Sequence, residues 1–154
     1  MATKLFIKLQ TPTIELKLTA KDSSGVSDSF FAGFKRYDLD DAQKKIEQLE
    51  AVFSSAKETN SLNQKELNSF IKNEVIYLKG ITLELANEDG SFKNYPIADT
   101  RTAKPYEGLW ESPEECLAVL LDMYLSSAPY RLSFITALNK ALFNAEYSDG
   151  EAKN

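Results

Sequence analysis

The chain has 154 residues, 43% of them hydrophobic and 11% aromatic, enough apolar material for one core. A formal charge of −5, with no face rich in Lys and Arg, argues against a nucleic-acid footprint. The absence of histidine excludes imidazole as a base or metal ligand, and the single cysteine, Cys116, excludes an intrachain disulfide. No apolar run reaches the length of a signal-peptide core or a membrane span, so the expectation is a cytosolic protein.

Two alternating runs open the chain. Leu5, Ile7 and Leu9 share one face of the first, and Ile14, Leu16 and Leu18 share one face of the second. Thr11-Pro12-Thr13 joins them as a hairpin or tight connection, and Lys21 to Gly25 is rich in turn residues. A third strand is predicted from Val26 to Tyr37, with Phe30, Ala32 and Phe34 on one face and Phe31 and Tyr37 on the other. Burial on both faces would explain the rings, and so would an aromatic patch that pairs with a partner.

Asp38 is placed to cap a helix, with Asp41 adding a carboxylate near its positive end. Leu39, Ala42, Ile46, Leu49 and Phe53 form its apolar stripe. A shorter helix is predicted over Gln64 to Lys72. Val75–Leu78 and Ile81–Leu85 are β-rich; Gly80 between them fits a turn, a bulge or a strand interior. Asn87-Glu88-Asp89-Gly90 signals a turn.

Phe92 to Glu111, with Pro96, Pro105 and Gly108, has no periodicity and is expected to be irregular. Ser112-Pro113-Glu114-Glu115 then has the elements of a capping box, followed by Leu117, Leu120, Leu121 and Tyr124 on one helix face. Ser126 or Ser127 caps a second helix, whose stripe is Leu132, Ile135, Leu138 and Leu142. The expected fold is α+β: a small antiparallel sheet from the N-terminal and middle strands, packed with about four helices and ending in a C-terminal helical hairpin. One domain is expected over 1–147, with 148–154 a flexible polar tail.

No catalytic constellation stands out. Cys116 reads as a small apolar residue in a first helical turn, and the carboxylates at Asp38–Asp41 and Glu88–Asp89 read as a helix start and a turn. The glycines never form a phosphate-cradling loop, and no cofactor, metal or catalytic residue is expected.

Phe30-Phe31-Ala32-Gly33-Phe34-Lys35-Arg36-Tyr37 followed by Asp38 to Ala42 resembles the strand-into-capped-helix segment of tailed-bacteriophage tail assembly chaperones. Val75 to Gly90 is similar to that family's middle strand and acidic Gly turn, although Leu78 stands where the family usually has Trp. Ser112 to Tyr124 and Ala141 to Asn154 resemble its last helices, and Phe92 to Glu111 looks like an insertion. The resemblance implies a non-enzymatic chaperone of the host cytoplasm, absent from the mature virion. It would bind the tape-measure protein, and tail-tube subunits, keeping them soluble during assembly, with self-association into a homo-oligomer. A structural tail component, such as a tail terminator or minor tail protein, is the alternative it leaves open. Trp110, Phe143 and Tyr147 are the candidate partner-binding residues, with core packing the competing role for Trp110 and Phe143. Neither nucleic acid nor membrane is an expected partner. Ala152-Lys153-Asn154 can be encoded by codons on which a ribosome slips, and members of the family are often made in two lengths by such a frameshift.

Overall fold

The computed structural model describes residues 13–21, 24–25, 27–59 and 64–152, with side chains described for all of these but 56–59 and 143–152. Four strands, β1 (Thr13–Lys21), β2 (Ser27–Lys35), β3 (Val75–Ala86) and β4 (Phe92–Asp99), form one antiparallel sheet in the order β1-β2-β3-β4. Helices α1 (Leu39–Thr59) and α2 (Gln64–Glu74) connect β2 to β3. A 3₁₀ turn (Thr100–Thr102), α3 (Pro113–Leu125) and α4 (Ala128–Ala152) follow β4. The fold is thus α+β with its last two helices C-terminal, as the apolar periodicities imply. The alternating run at Leu5 to Leu9 lies outside the described residues.

Alternation builds the sheet. Leu18, Ala20, Phe30, Ala32 and Phe34 are buried, while Lys17, Lys21 and Phe31 face outward. Phe30 is the centre of the contact with the helices: its ring lies 5.0 Å from Tyr124 and 5.8 Å from Phe134. Phe31 is 39% exposed, so the aromatic strand is buried on one side and partly open on the other.

β2 and β3 change register between Gly33 and Phe34. Tyr77 lies opposite Gly33 and lays its ring over it, so closely that a Cβ on Gly33 would stand 2.1 Å from Tyr77 Cε1. The missing side chain of one strand is filled by the ring of the next. Gly80 proves to be a strand-interior residue with φ +71°, exposed between buried Leu78 and buried Ile81.

Asp38 caps α1 by accepting the Asp41 N–H at 2.8 Å. Ser112 accepts the Glu115 N–H at 3.2 Å, but the return arm of the capping box shifts by one: Glu115 Oε2 accepts from the Glu111 N–H at 2.9 Å. Ser126 is the C-terminal cap of α3, and Ser127 offers its carbonyl to the Arg131 N–H of α4. α2 delivers a buried carboxylate, Glu74, at the start of β3. It accepts from the Tyr37 hydroxyl at 2.5 Å and pairs with Lys45 Nζ at 2.9 Å, tying β3 to α1 and to the segment after β2. A buried charge is tolerated only with such partners.

The segment from Phe92 to Glu111 departs from expectation. Its first part is β4, paired with β3 through the turn in which Gly90 N–H donates to Asn87 O. β4 sits at the sheet edge, where the N–H that Pro96 lacks costs least, and that proline hid the strand from a reading by pattern.

Candidate functional site

α4 makes its buried stripe with Phe134, Ala137, Leu138, Ala141 and Leu142, at spacings of three and four. The stripe keeps Leu138 and Leu142 of the predicted one and is rotated away from its other two residues. Leu132, expected in the core, is 64% exposed, and Ile135 is only partly buried. α4 packs against β1 and α1, and this contact turns Leu132 toward the edge of the sheet.

Among the described residues β1 is an edge strand whose outer side has no partner strand. Between that edge and α4 runs an open groove of about 550 Å³. The strand contributes Leu16, Lys17, Thr19, Ala20 and Lys21, and the helix contributes Pro129, Leu132, Thr136, Ala137 and Lys140 among others. Its origin is local: Ala20 and Ala137 are short, so helix and strand do not close over one another. The stretch from Leu16 to Lys21 is about 17 Å long at the rise of a strand. Pro129 to Lys140 is about 17 Å at the rise of a helix. The two walls therefore match in length.

The groove combines two recognition elements. From Leu16 to Lys21 the strand edge, which has no partner strand among the described residues, presents backbone N–H and C=O groups, and exposed Leu132 with half-buried Leu16 offers apolar surface. Its charged lining residues are Lys17, Lys21 and Lys140, all cationic, on a chain of net charge −5. This lining is complementary in charge and polarity to an extended apolar segment with acidic neighbours.

The sequence-predicted site residues are not gathered here. Trp110 is 1% exposed and serves the core: its indole donates to Lys104 O at 2.6 Å and stands between Tyr95 and Tyr106, with ring centroids at 5.8 and 5.5 Å. It anchors the loop after β4 rather than presenting a surface. Phe143 and Tyr147 belong to the far part of α4, where the side chains lie outside the described residues. The groove residues were missed because exposure of Leu132 depends on the rotation of α4, which period alone does not set. The alternation of Ile14, Leu16 and Leu18 marked the strand but not its place in the sheet.

Cys116 is fully buried in the first turn of α3, and burial pushes its thiol up to about 11, away from the reactive thiolate. Tyr37 and Tyr124 are likewise raised above the ordinary phenol value, chiefly by burial. Among the described residues no group of three or more Cys, Asp or Glu side chains could hold a metal ion. Among them, too, no helix is long and apolar enough to cross a membrane. No family model, curated protein or solved structure matches the chain.

Proposed function

We propose that this protein is a non-enzymatic holder of another protein, working as a tail assembly chaperone of the kind its sequence resembles. Its client would be the tape-measure protein, with tail-tube subunits as further clients, in the host cytoplasm. The observation that carries the reading is the groove between β1 and α4, where Leu132 stands exposed. A client caught before it folds or polymerises presents extended apolar stretches. Such a stretch would add to the β1 edge and lay alternate side chains against Leu132 and Ala137, while Lys17, Lys21 and Lys140 meet acidic neighbours. The acidic remainder of the chain keeps the complex soluble by net charge.

Co-expression with the tape-measure protein of the same phage tests this. A soluble complex recovered by pulling on either partner supports the reading. Thr136→Arg, at an exposed helix position on the groove, should leave the fold intact and reduce recovery sharply. If the client stays insoluble and the protein is found in purified particles, it is a structural tail component and the chaperone reading falls.

A further inference from the structure

We propose that the outer face of the sheet, centred on Phe31, docks an acidic segment of another protein in which an apolar residue stands between two carboxylates. Alternation places Glu15, Lys17 and Lys21 of β1 and Phe31, Gly33 and Lys35 of β2 on the face turned away from the helices. The register then sets Lys17 and Lys79 directly opposite Phe31, one on each neighbouring strand. Lys17, Phe31 and Lys79 are all exposed, and Phe31 keeps 39% of its surface open to water.

The neighbouring rung engages the carboxylates of this face. Tyr77 lies over Gly33 with the Arg101 guanidinium 3.7 Å from its ring centroid. Glu15 accepts from the Tyr77 hydroxyl and stands 3.5 Å from Lys79 Nζ, and Asp99 is held by Arg101 at 2.6 Å. Around Phe31, among the described residues, Lys17, Lys21, Lys35, Lys79 and Arg101 thus stand against Glu15 and Asp99, on a chain of net charge −5. No run of the sequence shows this cationic excess; the pairing of the strands gathers it. Its complement is an acidic partner, and the ring selects the partner's class. Residues two apart in an extended segment share a side and lie about 6.8 Å apart. The cross-strand neighbours of Phe31 lie about 5 Å from it, a difference within reach of a lysine stem. An apolar residue of the segment then covers Phe31 while carboxylates two positions before and after it meet Lys17 and Lys79. A nucleic-acid strand fits less well, because its evenly spaced phosphates would pass Glu15 and Asp99 too. A second copy of the chain laid face to face would oppose cations to cations. Lys17 and Lys21 also line the groove, so the two surfaces meet along β1.

The face does not depend on the chaperone reading, and its test is separate. The isotope-labelled full chain is titrated with a synthetic peptide in which glutamates stand two residues on either side of a leucine, and the amide resonances are followed. Those of Lys17, Phe31 and Lys79 should shift together and saturate, and added salt should weaken the binding. The same peptide with glutamine for glutamate, or with serine for leucine, should bind about tenfold more weakly; equal binding of either overturns the proposal. Phe31→Ser and Lys79→Gln, at exposed positions where the remaining resonances report an intact fold, should each weaken binding about threefold or more. Thr136→Arg, which blocks the groove, should leave it unchanged; loss there overturns the assignment to this face. Shifts at Leu132 and Thr136 in place of the face, no shift at all, or a response to oligothymidylate but not to the peptide each overturn it. If the peptide binds as expected while the tape-measure protein is not held in solution, the face stands and the chaperone reading falls.

Discussion

Replacing Gly33 by alanine should destabilise the protein far more than a single methyl group suggests. The new Cβ would lie 2.1 Å from Tyr77 Cε1 and 2.5 Å from Cδ1 and Cζ, where carbon contacts prefer about 3.5–4.0 Å. The ring cannot yield by bending and must leave its seat, breaking the Tyr77 hydroxyl donation to Glu15 at 2.8 Å and the Arg101 stack at 3.7 Å. Overpacking costs about 1–3 kcal/mol, the hydrogen bond about 1, and the half-exposed cation–ring contact about 0.5–1. The entropy that alanine removes from the unfolded chain returns about 0.4–1 kcal/mol. The net loss is therefore about 1.5–4.5 kcal/mol. In a Tyr77→Ala background the collision is gone, and Gly33→Ala should be neutral or slightly stabilising. Urea unfolding followed by the fluorescence of Trp110, the single buried tryptophan, reads both backgrounds as midpoint shifts at constant slope. An equal loss in both backgrounds, or no loss in the first, would refute the seat of Tyr77 on Gly33.

Two further predictions concern titration and reactivity. The Tyr77 hydroxyl is pushed up to about 12 from its ordinary 10, first by burial and then by its donation to Glu15. Between those values the unfolded chain has lost the proton and the folded chain keeps it, so stability is intact below pH 10 and falls as pH rises toward 12. Tyr37 and Tyr124, also raised, steepen the fall; Tyr77→Phe should flatten it in alkaline unfolding followed by circular dichroism. Cys116 should resist iodoacetamide at neutral pH in the folded protein and react once urea unfolds it. Labelling of the native state would contradict its burial.

Much of the fold was legible because its signals are local. Asp38 caps α1 and Ser112 caps α3 as their side chains dictate, Asn87 to Gly90 makes the β3–β4 turn, and the Phe30-Ala32-Phe34 face is the buried one. What escaped depends on partners distant in sequence. Pro96 masked β4 because a strand edge tolerates what a strand interior does not, and edge position is decided by assembly of the sheet. Trp110 looked equally suited to surface or core until Tyr95 and Tyr106 were brought around it. The helical period of α4 marked Leu132, Leu138 and Leu142 as core; the last two are buried, but Phe134 takes the buried place expected of Leu132, because packing chooses the face and periodicity only offers it.

Leu132→Asp turns that displaced leucine into a measurement of what covers it. If the groove is empty, a side chain already 64% exposed has about a third of its burial to lose, roughly 0.5–1 kcal/mol of the 1.5–3 for a fully buried leucine. Leu132 is the fifth residue of α4, where the helix penalty of aspartate is offset by the positive N-terminal end, so a bare site loses about 1 kcal/mol. If another segment covers the groove, Leu132 is enclosed, and the substitution both removes that contact and strands a carboxylate against apolar surface. Breaking such a site costs about 3 kcal/mol or more. Urea midpoints separate the two cases. A loss of about 1 kcal/mol would show that Leu132 faces water in the isolated protein, its surface left for a partner, whereas a loss of about 3 kcal/mol or more would refute the exposure on which the groove rests.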